Sequence, residues 1–227
     1  MKTLIAVPCM DQVPMPFCKS LATLQKVGDC TLMMECGSLI YSSRDHLAKQ
    51  AIKYEADYVF WLDSDMVFEP DTLARMMKTL DEHPEIDILS GLYFRRVAPY
   101  TPVVFDQMDI DDEEKAYFTE FKEIPDGLFP VGACGFGCVL MRAEVFLDIQ
   151  ARFERMFAPM AGNGEDIAFC WRARQCGLSI WCDPSIKLGH VGYSTVTREV
   201  YETFEQVRRK RDVGKTQNGD EDPHGGV

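Results

Sequence analysis

The sequence has no C-x-x-C pair, no G-x-G-x-x-G loop opening a helix, no apolar run near the ~20 residues of a membrane span, and no basic excess. Each absence excludes something. Nine cysteines, scattered and odd in number, disfavour a disulfide framework and suit reduced thiols in a cytoplasmic protein. Cys170, Cys176 and Cys182 recur every six residues, but zinc ligands stand in shorter, paired spacings, so these read as small buried hydrophobes. A formal charge of −12 excludes broad contact with nucleic acid or an anionic membrane surface. A small anionic substrate stays open if a metal cancels the local field. No charged-then-apolar leader opens the chain, so a soluble, cytoplasmic protein is expected.

What is present is an alternation of strand and helix patterns. At 227 residues one domain is expected, with a catalytic body over residues 1–211 and a mobile tail over 212–227. Lys2 to Val7 reads as a strand, and Phe17, Leu21 and Leu24 as one face of a helix. Cys30 to Glu35 follows as a strand and Ile40 to Tyr54 as a helix, leading into the apolar strand Tyr58–Leu62. That order predicts an α/β fold with a mostly parallel central sheet and helices on both faces. Residues 97–130, with four prolines and seven acids between Asp109 and Glu123, predict a small antiparallel section. A last helix is expected over about 197–211.

The strand Tyr58–Leu62 runs without alternation into Asp63-Ser64-Asp65, at the strand's carboxyl end, where ligands of parallel sheets sit. If the backbone stays extended, Asp63 and Asp65 point the same way and suit a hard divalent cation or a phosphate. Alone, the pair reads first as the start of a turn. Glu165 and Asp166 open a helix after Gly162-Asn163-Gly164, as site residues or as helix caps. His190 stands between glycines at the end of an apolar segment, a metal ligand or a structural histidine. Arg44, early in its helix, is either a phosphate or ribose contact or a solvated residue. Gly135-Phe136-Gly137 lies in a glycine-rich turn suited to close backbone approach.

In this order the three motifs resemble the GT-A glycosyltransferases, particularly the family 2-like enzymes, over roughly Lys2 to Tyr193. The resemblance implies transfer of a sugar from a nucleotide-diphosphate donor, a UDP-sugar in the first instance, to an acceptor hydroxyl. It makes Asp65 and His190 ligands of Mn²⁺ or Mg²⁺ and puts Asp63 at the metal or ribose. It implies a nucleotide site of Pro8, Cys9, Met10, Arg44, Asp63 and Ser64 within about residues 1–105, and an acceptor and catalytic part over 106–197. Asp166 becomes the base, beside Glu165. Gly135-Phe136-Gly137 falls along the donor sugar, and Trp181 on the acceptor side. There is no Q-x-x-R-W motif, so the reaction is expected to be non-processive and, by the family 2 likeness, inverting. A haloacid-dehalogenase phosphohydrolase also uses D-x-D-x-[TV], but its nucleophile follows the first strand and its lysine precedes the later acids. Lys187 follows them. A nucleotide-sugar-binding module without catalysis remains open at this level.

Overall fold

The protein is described from a computed structural model covering residues 1–37, 39–111, 115–192 and 195–217, with side chains to residue 209. The chain begins β1 (Lys2–Cys9), α1 (Met15–Thr23), β2 (Asp29–Cys36), α2 (Ile40–Lys53) and β3 (Tyr58–Leu62), the predicted alternation with small shifts of boundary. β4 (Met66–Phe68), α3 (Thr72–Glu82) and β5 (Ile88–Leu92) follow. The irregular middle holds β6 (Val104–Phe105), β7 (Gln107–Ile110), β8 (Ala116–Thr119), β9 (Phe129–Pro130) and β10 (Ala133–Cys134). The chain then forms β11 (Cys138–Arg142), α4 (Glu144–Arg152), α5 (Glu165–Gln175), β12 (Ile180–Val191), β13 (Thr195–Val196) and α6 (Arg198–Gln217).

The central sheet has the order β13-β12-β5-β11-β3-β1-β2, with β4 and β9 also pairing β12. β1 is parallel to β2 and β3, and β5 is parallel to β12. β11 is inserted antiparallel between β3 and β5, and β4, β9 and β13 pair antiparallel with β12. Two short antiparallel ribbons, β6 with β10 and β7 with β8, fill the proline-rich section. Helices cover both faces. Leu47, Phe146 and Phe169 from α2, α4 and α5 pack on one side with Trp61, Phe136 and Phe157. Phe17 from α1 and Leu73, Met76 and Leu80 from α3 pack on the other with Phe60 and Leu62. β3 is buried at all five positions, as its unbroken apolar run requires.

Two registers build the site. Because β11 runs antiparallel, its first residue, Cys138, pairs with the last residue of β3, Leu62. Gly137 thereby lies beside Asp63, whose N–H donates to the Gly137 carbonyl at 3.0 Å. β12 outruns β5 and pairs antiparallel with β4, setting His190 opposite Met66. The Val191 N–H then donates to the Asp65 carbonyl at 2.8 Å.

Two expectations change. The segments on either side of Asp183-Pro184-Ser185 are one long strand, β12. A register irregularity between Asp183 and Lys187 takes up Pro184, which has no N–H for a regular ladder. α6 continues to Gln217, six residues beyond Arg211, into what was expected to be tail; residues 218–227 lie outside the described residues.

Candidate active site

After Leu62 the strand ends. The Met66 N–H donates to the Asp63 carbonyl at 3.1 Å, so Asp63-Ser64-Asp65 is a tight turn and the extended geometry expected for the pair is not present. The two carboxylates part company. Asp63 Oδ1 accepts from Arg44 Nη2 at 2.6 Å, while Asp65 Oδ2 meets Arg96 Nη1 at 2.6 Å and His190 Nε2 at 3.3 Å. His190 Nδ1 lies 2.9 Å from the Phe94 carbonyl. That carbonyl only accepts, so Nδ1 carries a proton and Nε2 is aimed at Asp65, the arrangement that orients a ligating imidazole. Burial works against the Asp65 charge, but His190 and Arg96 outweigh it and hold the carboxyl below its usual range. Burial likewise disfavours charged His190, and Asp65 with the Phe94 carbonyl raises it.

Among the described residues no three His, Cys, Asp or Glu side chains converge on a cation position. Asp65 and His190 nevertheless bring one carboxylate oxygen and one imidazole nitrogen, Nε2, to the same place. Mg²⁺-type sites commonly take one or two protein ligands and complete their shell with phosphate and water, so this donor set fits. Asp63 does not join it, because Arg44 claims its carboxylate.

Arg44 departs from both sequence readings. It is 1% exposed, neither solvated nor turned toward a nucleotide. Its Nη2 holds Asp63 and its Nε holds Glu165 Oε1 at 3.1 Å. The guanidinium lies 5.5 Å from the Trp61 ring and 5.2 Å from the Phe136 ring. The next residue, Asp45, accepts from the Phe157 N–H at 3.0 Å and pairs with Arg155 at 3.2 Å. One turn of α2 thus fixes both the D-x-D turn and the loop that delivers α5.

Pro8, Cys9, Met10, Asp63, Ser64, Asp65, Arg96 and His190 line a cavity of about 540 Å³ at the carboxyl edge of the sheet. Arg96 is the site residue that sequence reasoning passed over. Its signal was the basic pair Arg95-Arg96 after β5. Other expectations fall away for packing reasons. Phe136 is fully buried among Trp61, Phe157 and Phe169 and presents no side chain to a sugar. Gly137 donates its N–H to the Tyr93 hydroxyl at 3.2 Å, and a Cβ on Gly135 or Gly137 would strike Tyr93. These glycines answer a tyrosine of the protein itself. Trp181 sits within β12 opposite Leu89 and Pro130, against the α3-side core, and not in the cavity.

The family model described as "Glycosyl transferase family 2" matches residues 41–150, which contain Arg44, the D-x-D turn and β11. Comparison with curated proteins gave no match. Among solved structures, A197 from STIV superposes with a TM-score of 0.62 at 18% identity, over 85% of this chain and 86% of that one. GalNAc-T7, solved with UDP, GalNAc and Mn²⁺, gives 0.56 at 10% identity over 85% of this chain and 43% of that chain. S. aureus TarS 1-349 gives 0.49 at 15% identity, over 82% and 61%. The match takes in just under half of the chain, and A197 and GalNAc-T7 share its overall fold. Against GalNAc-T7 the chain spans less than half of the other chain's length.

The acid pair at the start of α5 is not symmetric. Glu165, 12% exposed, is bonded to Arg44. Asp166 bonds only its own helix start, through the Ile167 N–H at 2.8 Å. Burial, reinforced by the neighbouring Glu165 charge, pushes the Asp166 carboxyl up to about 6. A helix N-terminus favours the charged form, but desolvation outweighs it here. No helix among the described residues is long and apolar enough to cross a membrane.

Proposed function

We propose that this protein is a glycosyltransferase of the family 2 type that moves a sugar from a nucleotide-diphosphate donor to an acceptor hydroxyl, with inversion and without processivity, using a divalent cation bound by Asp65 and His190. The observation that carries the reading is the meeting of Asp65 Oδ2 and His190 Nε2 at 3.3 Å on the wall of the cavity, with the far ring nitrogen tied to the Phe94 carbonyl. The similar fold of GalNAc-T7 was captured with UDP, GalNAc and Mn²⁺, which favours a uridine donor and Mn²⁺ here.

When bound, Mn²⁺ or Mg²⁺ supplies positive charge against the leaving nucleoside diphosphate. The chain does the rest. Pro8, Cys9 and Met10, at the end of β1, form the wall for the base, and Ser64 offers a hydroxyl within the turn. Asp166 accepts the proton of the acceptor hydroxyl as its oxygen attacks the anomeric carbon opposite the departing phosphate, which inverts that centre. A carboxyl titrating near 6 is ionised at pH 7 and more basic than an ordinary aspartate, as a base requires. Arg44 bonds Glu165, next to that base, and Asp63 in the same side chain, and so fixes the two ends of the site relative to one another.

The test is transfer and hydrolysis measured over UDP-, GDP- and TDP-sugars, with Mn²⁺ and after chelation, together with calorimetric binding. Metal-dependent turnover or binding of one donor is expected. No turnover and no binding across the panel defeats the proposal. Retained transfer by Asp166→Asn would reduce the acid pair to a helix start.

A further inference from the structure

Arg96 is the one arginine or lysine among the described residues lining the cavity, and the mechanism above gives it no task. Its Nη1 lies 2.6 Å from Asp65 Oδ2, the same oxygen that His190 Nε2 approaches at 3.3 Å. That oxygen is thus already engaged by a guanidinium and an imidazole. A divalent cation bonded to that oxygen would lie against the guanidinium that now holds it. Cation binding at Oδ2 and the Arg96 ion pair therefore compete for the same atom.

We propose that Arg96 is a resident cation: it holds Asp65 while the nucleotide site is empty, and it passes to a phosphate oxygen of the donor's diphosphate when a divalent cation takes its place. The inference rests on the reading that Asp65 and His190 bind that cation. Three observations support the exchange. The Arg96 side chain is 53% exposed and lies on the connection between β5 and β6, unlike Arg44, which is walled in. Its stem runs over Gly192, where a Cβ would approach Arg96 Cβ to 3.1 Å and Cδ to 3.5 Å, so the path past β12 exists because position 192 has no side chain. The cavity also carries Asp63 and Asp65 within a chain of net charge −12. A leaving diphosphate there needs more positive charge than one divalent ion provides, and a guanidinium matches phosphate oxygens in two-pronged geometry.

The exchange has a signature that catalysis alone does not show. In the wild type, free Mn²⁺ must displace Arg96 and binds weakly; nucleoside diphosphate gives Arg96 a new partner and strengthens Mn²⁺ binding. Full-length wild type, Arg96→Ala and Arg96→Gln are titrated with Mn²⁺ by electron paramagnetic resonance. Each titration is run with and without whichever of UDP, GDP and TDP binds the wild type best, and folding is checked by circular dichroism. Without nucleotide, both variants should bind Mn²⁺ about five- to tenfold more tightly than wild type. With Mn²⁺ present they should bind the nucleotide about tenfold more weakly, close to one charge-assisted phosphate contact. Unchanged Mn²⁺ affinity in both variants, or Mn²⁺ affinity lowered by them, overturns the exchange while leaving the donor reading intact. If neither wild type nor variants bind Mn²⁺ or any of the three nucleotides, the cation reading fails and the exchange fails with it.

Discussion

Asp166 and Arg44 show how single residues set function against stability. Asp166 titrates at about 6, against an unfolded value near 3.9. A folded pKa raised above the unfolded one makes a contribution fully present below about pH 4 and lost as pH rises through 6. At pH 7.5 the ionised carboxylate is thus a cost to folding of roughly 3 kcal/mol. Asp166→Asn should lower transfer by about 10²–10⁴-fold and still raise the melting temperature at pH 7.5, with the gain vanishing at pH 4. Wild-type kcat/KM should rise through pH 6 as the base ionises. Arg44 predicts the opposite balance. Removing it leaves Asp63 and Glu165 beside each other's charge in a mostly buried setting, at a cost of about 3 kcal/mol. Denaturant unfolding of Arg44→Met should show that loss, and Arg44→Met with Glu165→Gln should recover part of it. Full stability in the single variant would mean water already solvates both acids.

At the scale of elements, the glycine turn before β11 is shaped by Tyr93, at the end of β5. A Cβ on Gly135 would meet the Tyr93 hydroxyl first and Val103 Cγ1 at 2.7 Å next. Gly135→Ala should therefore destabilise by about 2 kcal/mol in denaturant melts. Tyr93→Phe in that background should restore a fraction of it, less the bond that Tyr93 gives the Gly137 N–H. If the double variant is no better than Gly135→Ala, the clash is not with Tyr93. This turn also marks where sequence reading stopped. The strand-helix alternation through β3 was legible because buried strands and amphipathic helices write their periods locally. The antiparallel direction of β11 was not, since an apolar run carries no sign of which way it pairs. Arg44 was seen as a site candidate but not as a clamp, because its partner Glu165 lies 121 residues away. Asp63 and Asp65 were placed together by assuming two more extended residues, and a single bond from Met66 to the Asp63 carbonyl turned them apart. Trp181 looked available because it is aromatic near the expected site; its register against Leu89 puts it two residues into a sheet strand.

The whole molecule carries a charge of −12, and the donor that it is proposed to bind is itself an anion. Long-range repulsion between them acts over about 20 Å at 20 mM salt and about 7 Å at 200 mM. Local attraction from Arg96 and a bound cation acts at contact distance, where screening is weak. The two contributions separate by their salt dependence. In chelator, raising salt from 20 to 200 mM should tighten binding of the nucleoside diphosphate, because screening removes repulsion faster than it weakens one exposed arginine contact. In saturating Mn²⁺ the same change should leave affinity level or weaken it, because the ion at Asp65 and His190 has reversed the sign of the local field. Calorimetry at the two salt concentrations, with and without Mn²⁺, reads both slopes. Weakening with salt in chelator would show that the cavity attracts the anion without a metal, and would shift the electrostatic work from Asp65 and His190 to the arginine beside them.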